Sequence, residues 1–243
     1  MRIEPMYGWR CRIGRLTPAT ALEGIEEWRR WSPDGVAIMP SLINNGLLNR
    51  KDLRAMMSHV DRAAEDVALA QIDVVIQCCA PGTFVEGYGA DNAVIARLKK
   101  ITGKPATTMQ VATNEAMKAM GMRRVAMATA YRPELNDALI AYLSRAGFKV
   151  LSSVGLGTYD PKTLPFVSPE RPYRAMIEAF RAAKKPDGIL FSGGGMRTFE
   201  VIKQVERETG VPVVTGGQAG FWHCLRLAGI DDNIEDLGRL FAA

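Results

Sequence analysis

Two segments of the chain set a reactive position and a bare one in the same local frame. DVVIQCCAPGTF spans residues 73–84 and DGILFSGGGMRTF spans residues 187–199. Each has an acidic start, an apolar run, a small-residue turn and a Phe. Six residues after Asp73 stands Cys79; six residues after Asp187 stands Gly193. A thiol that ends a strand and opens a helix meets free backbone N–H groups and the positive end of the helix dipole. That setting is expected to lower the Cys79 pKa from its reference of about 8.5. Cys79 is therefore the candidate catalytic residue, as acid/base or nucleophile.

The residues around it divide by type. Ala80, Pro81, Gly82 and Thr83 follow directly; Pro81 is tolerated in a first helical turn, and Thr83 offers a hydroxyl. Cys78 should point to the other side of its strand and pack. Ser192, Gly193 and Gly194 begin a nest-like turn where backbone can approach an anion closely. The spacing there is not G-x-G-x-x-G, so it is no dinucleotide fingerprint. Tyr131 ends the apolar run Arg124–Ala128 and its neighbours, where a hydroxyl can donate to a carboxylate or simply pack. Thr17 and Pro18 follow the first apolar run and should line the same cleft. Two distant His residues, His59 and His223, and one adjacent Cys pair make no metal site. His223 and Cys224 read as packing or surface residues of one helix.

These residues need elements to hold them. Apolar runs stand at Arg12–Leu16, Gly35–Met39, Val74–Gln77, Ala106–Thr108, Arg124–Ala128, Lys149–Val154, Gly188–Phe191 and Val211–Val214. Amphipathic stretches at helical spacing separate several of them, one running from Ala55 to Ala68. Short apolar strands alternating with helices imply parallel sheets built from βα units. The repeat goes further: Thr102-Gly103-Lys104-Pro105 and Thr209-Gly210-Val211-Pro212 each precede a strand and a helix that ends at Gly121 or Gly229. Gly ends a helix in the left-handed conformation, and Pro follows where the helix cannot continue. The expected fold is α/β, with two pseudo-symmetric lobes, each a parallel sheet flanked by helices, and an active-site cleft between them. The first lobe takes residues 1–112 plus 219–243 and the second takes 113–218. Ligands of such sheets bind beyond the carboxyl ends of the strands. The Pro-rich stretch Leu164–Pro172 reads as a surface connector, with a lid as the alternative.

Composition narrows the classes. The chain has 243 residues, 47% of them apolar, and a net charge of +5. Lys and Arg are scattered, which is no nucleic-acid footprint, although mild attraction of an anion is consistent with the sign. No apolar run approaches the about 18 residues needed to span a bilayer, so no membrane partner is expected. The start MRIEPMYGWRCRIGR lacks an apolar signal core and reads as an uncleaved cytosolic start, hence a cytoplasmic protein. Four irregularly spaced Cys residues do not make a disulfide framework.

RIGRLTP at 12–18, DVVIQCCAPGTF, the stretch from Thr102 to Tyr131, DGILFSGGG and TGVPVVTGGQAGFWHCLRLAG at 209–229 together resemble the aspartate/glutamate racemase superfamily, in its arylmalonate decarboxylase and maleate cis-trans isomerase branch. The resemblance covers nearly the whole chain. It implies two pseudo-symmetric α/β lobes, no cofactor, a small carboxylate substrate held between them, and a monomer or homodimer. Racemases of the superfamily set one Cys on each lobe. The isomerases also have both and use the first as nucleophile. Arylmalonate decarboxylase has only the second, as proton donor. Here the order is reversed, with Cys79 on the first lobe and Gly193 on the second. Ala80 and Pro81 replace the hydroxyls that arylmalonate decarboxylase uses there, Tyr131 fits the carboxylate-holding Tyr, and the isomerase Asn after the first strand is missing, with Ala19 and Thr20 nearby.

The expectation is a cofactor-independent enzyme acting next to a carboxylate. A decarboxylase-like lyase with Cys79 as sole acid/base comes first. A maleate-isomerase-like enzyme with Cys79 as nucleophile is the alternative. A carboxylate-binding protein that has lost catalysis is the reading from another class, and a redox sensor built on Cys78 and Cys79 the least favoured.

Overall fold

In the computed structural model of the protein, residues 6–243 are described. Residues 1–5, which belong to the stretch read as an uncleaved start, lie outside the described residues. The first half runs β1 (Cys11–Pro18), α1 (Leu22–Arg30), β2 (Val36–Ile43), α2 (Arg50–Met57), α3 (Val60–Ala68), β3 (Val74–Gln77), α4 (Ala80–Phe84), α5 (Ala90–Thr102), β4 (Ala106–Thr108) and α6 (Met109–Ala119). The second runs β5 (Arg124–Tyr131), α7 (Pro133–Arg145), β6 (Lys149–Thr158), α8 (Glu170–Ala182), β7 (Gly188–Ser192), α9 (Ile202–Thr209), β8 (Val213–Thr215) and α10 (Gly216–Leu227). Two four-stranded sheets result, ordered β2-β1-β3-β4 and β6-β5-β7-β8. Every strand pairing is parallel, so the fold is α/β with two matching lobes.

The duplicated motif has a mechanical role at its acidic start. The Asp73 carboxylate accepts the Arg12 N–H at 2.8 Å. The Asp187 carboxylate accepts the N–H groups of Arg124 at 2.7 Å and Arg123 at 3.0 Å. Each Asp thus ties the start of the third strand in its sheet to the start of the first. The apolar runs that follow are fully buried in both β3 and β7, as a parallel sheet covered on both faces requires. The two Thr-Gly-x-Pro steps also match: Gly103 caps α5 at φ +67 and Gly210 caps α9 at φ +74, conformations that glycine adopts at little steric cost.

Some elements differ from the sequence reading. β2 runs four residues past Met39, through Pro40. It is an edge strand, where a missing N–H breaks no central ladder. The periodic stretch from Ala55 to Ala68 is two helices. Ser58 donates its hydroxyl to the Ala55 carbonyl at 2.7 Å, and α3 begins only at Val60; such local back-bonding competes with helix continuation. The stretch Leu164–Pro172 is not a plain connector. Pro161–Phe166 forms a 3-10 turn that buries Leu164, and α8 begins at Glu170.

The last helix of each half crosses between the sheets. Thr108 caps α6 by accepting the Val111 N–H at 3.2 Å, and Thr215 caps α10 by accepting the Gln218 N–H at 3.3 Å. α6 and α10 pack on each other, and α10 also reaches β3 and α1. One apolar cluster runs through both halves, from Ile13 and Val75 to Met127 and Leu190.

Candidate active site

The carboxyl ends of β1, β3, β5 and β7 converge on one cavity of about 60 Å³. The β3–α4 junction contributes Cys79, Ala80 and Pro81; the end of β5 contributes Tyr131; the turn after β7 contributes Ser192, Gly193 and Gly194. Cys79 and Gly193 therefore line the same cavity from different sheets. Leu47, Leu53, Met56 and Met109 make much of its wall apolar.

Cys79 is half-buried and stands at the N-cap of α4. Burial pushes its thiol up to about 12, against a smaller opposing pull from the Gly82 N–H. This reverses the expectation of a lowered thiol pKa. α4 has only five residues, and removal of water costs the thiolate more than one short helix end returns. The side chain is thus a neutral S–H donor at physiological pH. Cys78 also borders the cavity and lies close enough to the buried Arg15 guanidinium for that charge to oppose the upward effect of burial, which still wins at about 11.

Tyr131 is buried, and its hydroxyl shares a hydrogen bond of 3.1 Å with the Ser192 hydroxyl. Burial raises its pKa, so the phenol keeps its proton. Phe84 of α4 packs on its ring at 5.9 Å between centroids. The two hydroxyls and the glycine turn border the cavity that Cys79 also borders, and one of the two hydroxyl protons is used in their mutual bond.

The remaining residues that the sequence singles out fall in two groups. Pro18 borders the cavity beside Thr20 and Ala21. Thr17, Gly82 and Thr83 do not border it. Thr17 is still inside β1, paired with Leu42, and fully buried. The Thr83 hydroxyl is used inside its own helix, donating to the Ala80 carbonyl at 3.2 Å. A side chain at Gly82 would run into Met57 of α2 rather than into the cavity. His223 meets Thr107 at 3.1 Å on α10, away from the site. No cluster of three or more His, Cys, Asp or Glu side chains with metal-binding geometry occurs among the described residues.

Part of the roof was legible, since the lid alternative for Leu164–Pro172 fits Leu164 on the cavity wall; the loop after β2 was not anticipated. Asn45 donates to the Thr20 hydroxyl at 3.1 Å, and Asp52 accepts the Leu47 N–H at 2.8 Å. The Leu48 N–H reaches the Tyr159 carbonyl at 2.9 Å, which joins the loop after β2 to the segment after β6. Leu48 and Leu164 border the cavity from these two segments. The turn residues Asn44-Asn45-Gly46 signal a loop, but nothing in their types says where it folds.

The arylmalonate decarboxylase family profile matches residues 42–241. The arylmalonate decarboxylase of Bordetella bronchiseptica is 38% identical over 147 residues, which cover 60% of this chain and 61% of that protein. The matched stretch thus spans about three fifths of that relative's length. A maleate isomerase of Pseudomonas putida is 23% identical, with 95% of this chain and 97% of that protein covered. Among solved structures, a glycine-to-cysteine, cysteine-to-serine double mutant of arylmalonate decarboxylase in its liganded form superposes with a TM-score of 0.90 at 32% identity, covering 95% of this chain and 98% of that one. A maleate isomerase with maleate superposes at a TM-score of 0.87 and 21% identity, a likeness of fold. The profile match takes in most of the chain, including both lobes' cavity turns: the chain belongs to the arylmalonate decarboxylase family.

Proposed function

We propose that the protein is a cofactor-independent lyase that decarboxylates a small malonate-type acid bearing an apolar substituent, with Cys79 as its single proton donor. The observation that carries this reading is the Cys79 thiol on the wall of a cavity whose other lobe offers Gly193 in place of a second thiol; burial favours the protonated form of that thiol. The bond from the α-carbon to one carboxyl group breaks and releases CO2. The electron pair moves onto the retained carboxyl group as an enediolate. Tyr131, Ser192 and the N–H groups of the Gly193–Gly194 turn are the donors for its oxygens. The α-carbon then takes the Cys79 proton, and the thiolate is reprotonated by water. The apolar wall of Leu47, Leu53 and Met56 accommodates the substituent and disfavours charge on the departing carboxylate.

Two features weigh against the alternatives. Isomerisation by addition to an alkene needs a thiolate, and burial opposes one at Cys79. Two-base racemisation needs a second thiol where Gly193 stands.

The test is turnover of arylmalonates, maleate and hydantoins in deuterated water by wild type and Cys79→Ala. CO2 release with one deuterium at the α-carbon is expected. The product should be enriched in the enantiomer opposite to that made by an enzyme whose donor is on the second lobe. Cys79→Ala should lose about 10²–10⁴ of the rate and keep the fold. Maleate turnover without decarboxylation would replace this reading by the isomerase. Ligand binding indifferent to Cys79 with no turnover would replace it by a binding protein.

A further inference from the structure

Resting on that reading, we propose that Glu27 is a positioning residue for the carboxylate cradle: a first-lobe side chain that sets the second-lobe turn Ser192–Gly195. The turn has little to hold itself. Its three glycines offer no side chains, and Met196 N–H to Gly193 carbonyl, at 3.0 Å, is its internal bond. The segment is gripped just beyond, where one Glu27 oxygen accepts the N–H groups of Thr198 at 2.6 Å and Phe199 at 2.8 Å. Glu27 is 6% exposed and belongs to α1, whereas its partners follow β7 of the other sheet.

Glu27 acts within one helix face. Gly24, Glu27 and Trp28 fall at i, i+3 and i+4 and so share a side of α1. The Trp28 indole N–H donates to the Gly217 carbonyl at 3.0 Å, one residue past the cavity residue Gly216. A Cβ on Gly24 would lie 2.8 Å from the Gly194 carbonyl and would also strike the Arg15 guanidinium. This face therefore meets the cradle itself at Gly194 and its surroundings at Thr198–Phe199 and Gly217, and it plays no part in the proposed bond-breaking and proton transfer.

The charges around Glu27 make its grip titratable. Arg15 faces it from β1, Glu200 from the 3-10 turn Phe199–Val201, and Arg197 from the segment itself; Glu23 shares its helix and acts on Arg197. Arg197 is spent on Glu200 at 2.6 Å. Arg15 is 1% exposed, stacks on Trp28 at 4.1 Å, and has two guanidinium nitrogens without hydrogen-bond partners. Cys78 and Cys224 lie near Arg15 but are kept neutral by burial. Burial pushes Glu27 up to about 7 despite its two backbone donors and Arg15. Protonation weakens it as an acceptor, because charged acceptors make the stronger hydrogen bonds.

The variants are Glu27→Gln and Gly24→Ala, the second disturbing the same helix face at the Gly194 carbonyl and Arg15 without altering the carboxyl group. Each should raise the KM for the turned-over malonate about tenfold and change kcat less than about twofold. Wild-type KM should rise as pH falls through about 7, and Glu27→Gln should lose that rise. A fall in kcat at unchanged KM, or a KM profile that Glu27→Gln leaves intact, overturns the proposal. Amide hydrogen exchange of wild type decides it even if neither variant folds. Protection of Thr198 and Phe199, corrected for intrinsic rates, should step down below the same pH, and equal protection on both sides of the step overturns it. That measurement uses no substrate, so a failure of the lyase reading, seen as no turnover and no malonate binding, is recognised separately.

Discussion

At the scale of single residues, the site is defined by what burial does to protons. Cys79 and Tyr131 both line the cavity and both are held in their protonated forms. Gly193 is the complementary case, a position that a side chain cannot simply refill. A Cβ there would lie 2.8 Å from the Ala130 Cβ and 3.0 Å from the Phe191 ring. Ala130 is itself on β5 and has no flexible end to move aside. Gly193→Cys should therefore cost about 1–3 kcal/mol from overpacking, read as a lower denaturation midpoint. Glu27 gives a signed pH effect on stability. Its folded pKa is raised from 4.5 to about 7, so the folded state holds this proton more tightly than the unfolded chain. The stabilisation is full below about 4.5 and is lost as pH rises through about 7. The Tm difference between wild type and Glu27→Gln should move in favour of the variant as pH rises from about 5 to 8, by calorimetry. The identity of Cys79 and Gly193 as corresponding positions was legible from the repeat alone. The direction of the thiol's shift was not, because it depends on a depth of burial that no local spacing states.

At the scale of elements, the recurring punctuation proved as informative as the apolar runs. The two Asp residues that begin the duplicated motif join strand starts within each sheet, and the two Thr-Gly-x-Pro steps end α5 and α9. Asp187→Ala should cost about 1 kcal/mol or less, because both lost bonds are solvent-exposed and water can take the place of the carboxylate. KM and kcat should be unchanged, since the bond lies at the opposite end of the strand from Ser192. Chemical denaturation together with steady-state kinetics checks both halves of this expectation. The break at Ser58 and the extension of β2 escaped the periodicity. A serine can lie on a helix or end it, and Pro40 is excluded from a strand only if that strand is central. Both outcomes depend on neighbours far along the chain.

At the scale of the whole molecule, the halves are interlocked. Beyond the α6–α10 packing, Asp91 of α5 accepts the Thr108 hydroxyl at 2.6 Å and the Tyr142 hydroxyl of α7 at 2.9 Å, both buried. Asn114 adds a donor to the same Tyr142 oxygen at 3.2 Å. With one apolar cluster running through both sheets, calorimetry should show a single unfolding transition rather than one per lobe. Tyr142→Phe should lower that transition by about 1–3 kcal/mol without splitting it.

Composition, the duplicated strand-and-turn motif and the Gly–Pro steps by themselves determined an α/β chain of two matching halves, with a thiol on one and bare backbone on the other. These features are local: a strand end, a helix cap or a missing Cβ is written in a few adjacent residues. Tertiary structure alone decided that burial shifts the thiol upward, that Thr17, Gly82 and Thr83 do not border the cavity, and that two distant segments meet through Leu48 and Tyr159. It also placed Glu27 against the opposite lobe's turn. Desolvation and closure between lobes depend on which surfaces meet, and those surfaces come from residues as far apart as Trp28 and Gly217, 189 positions.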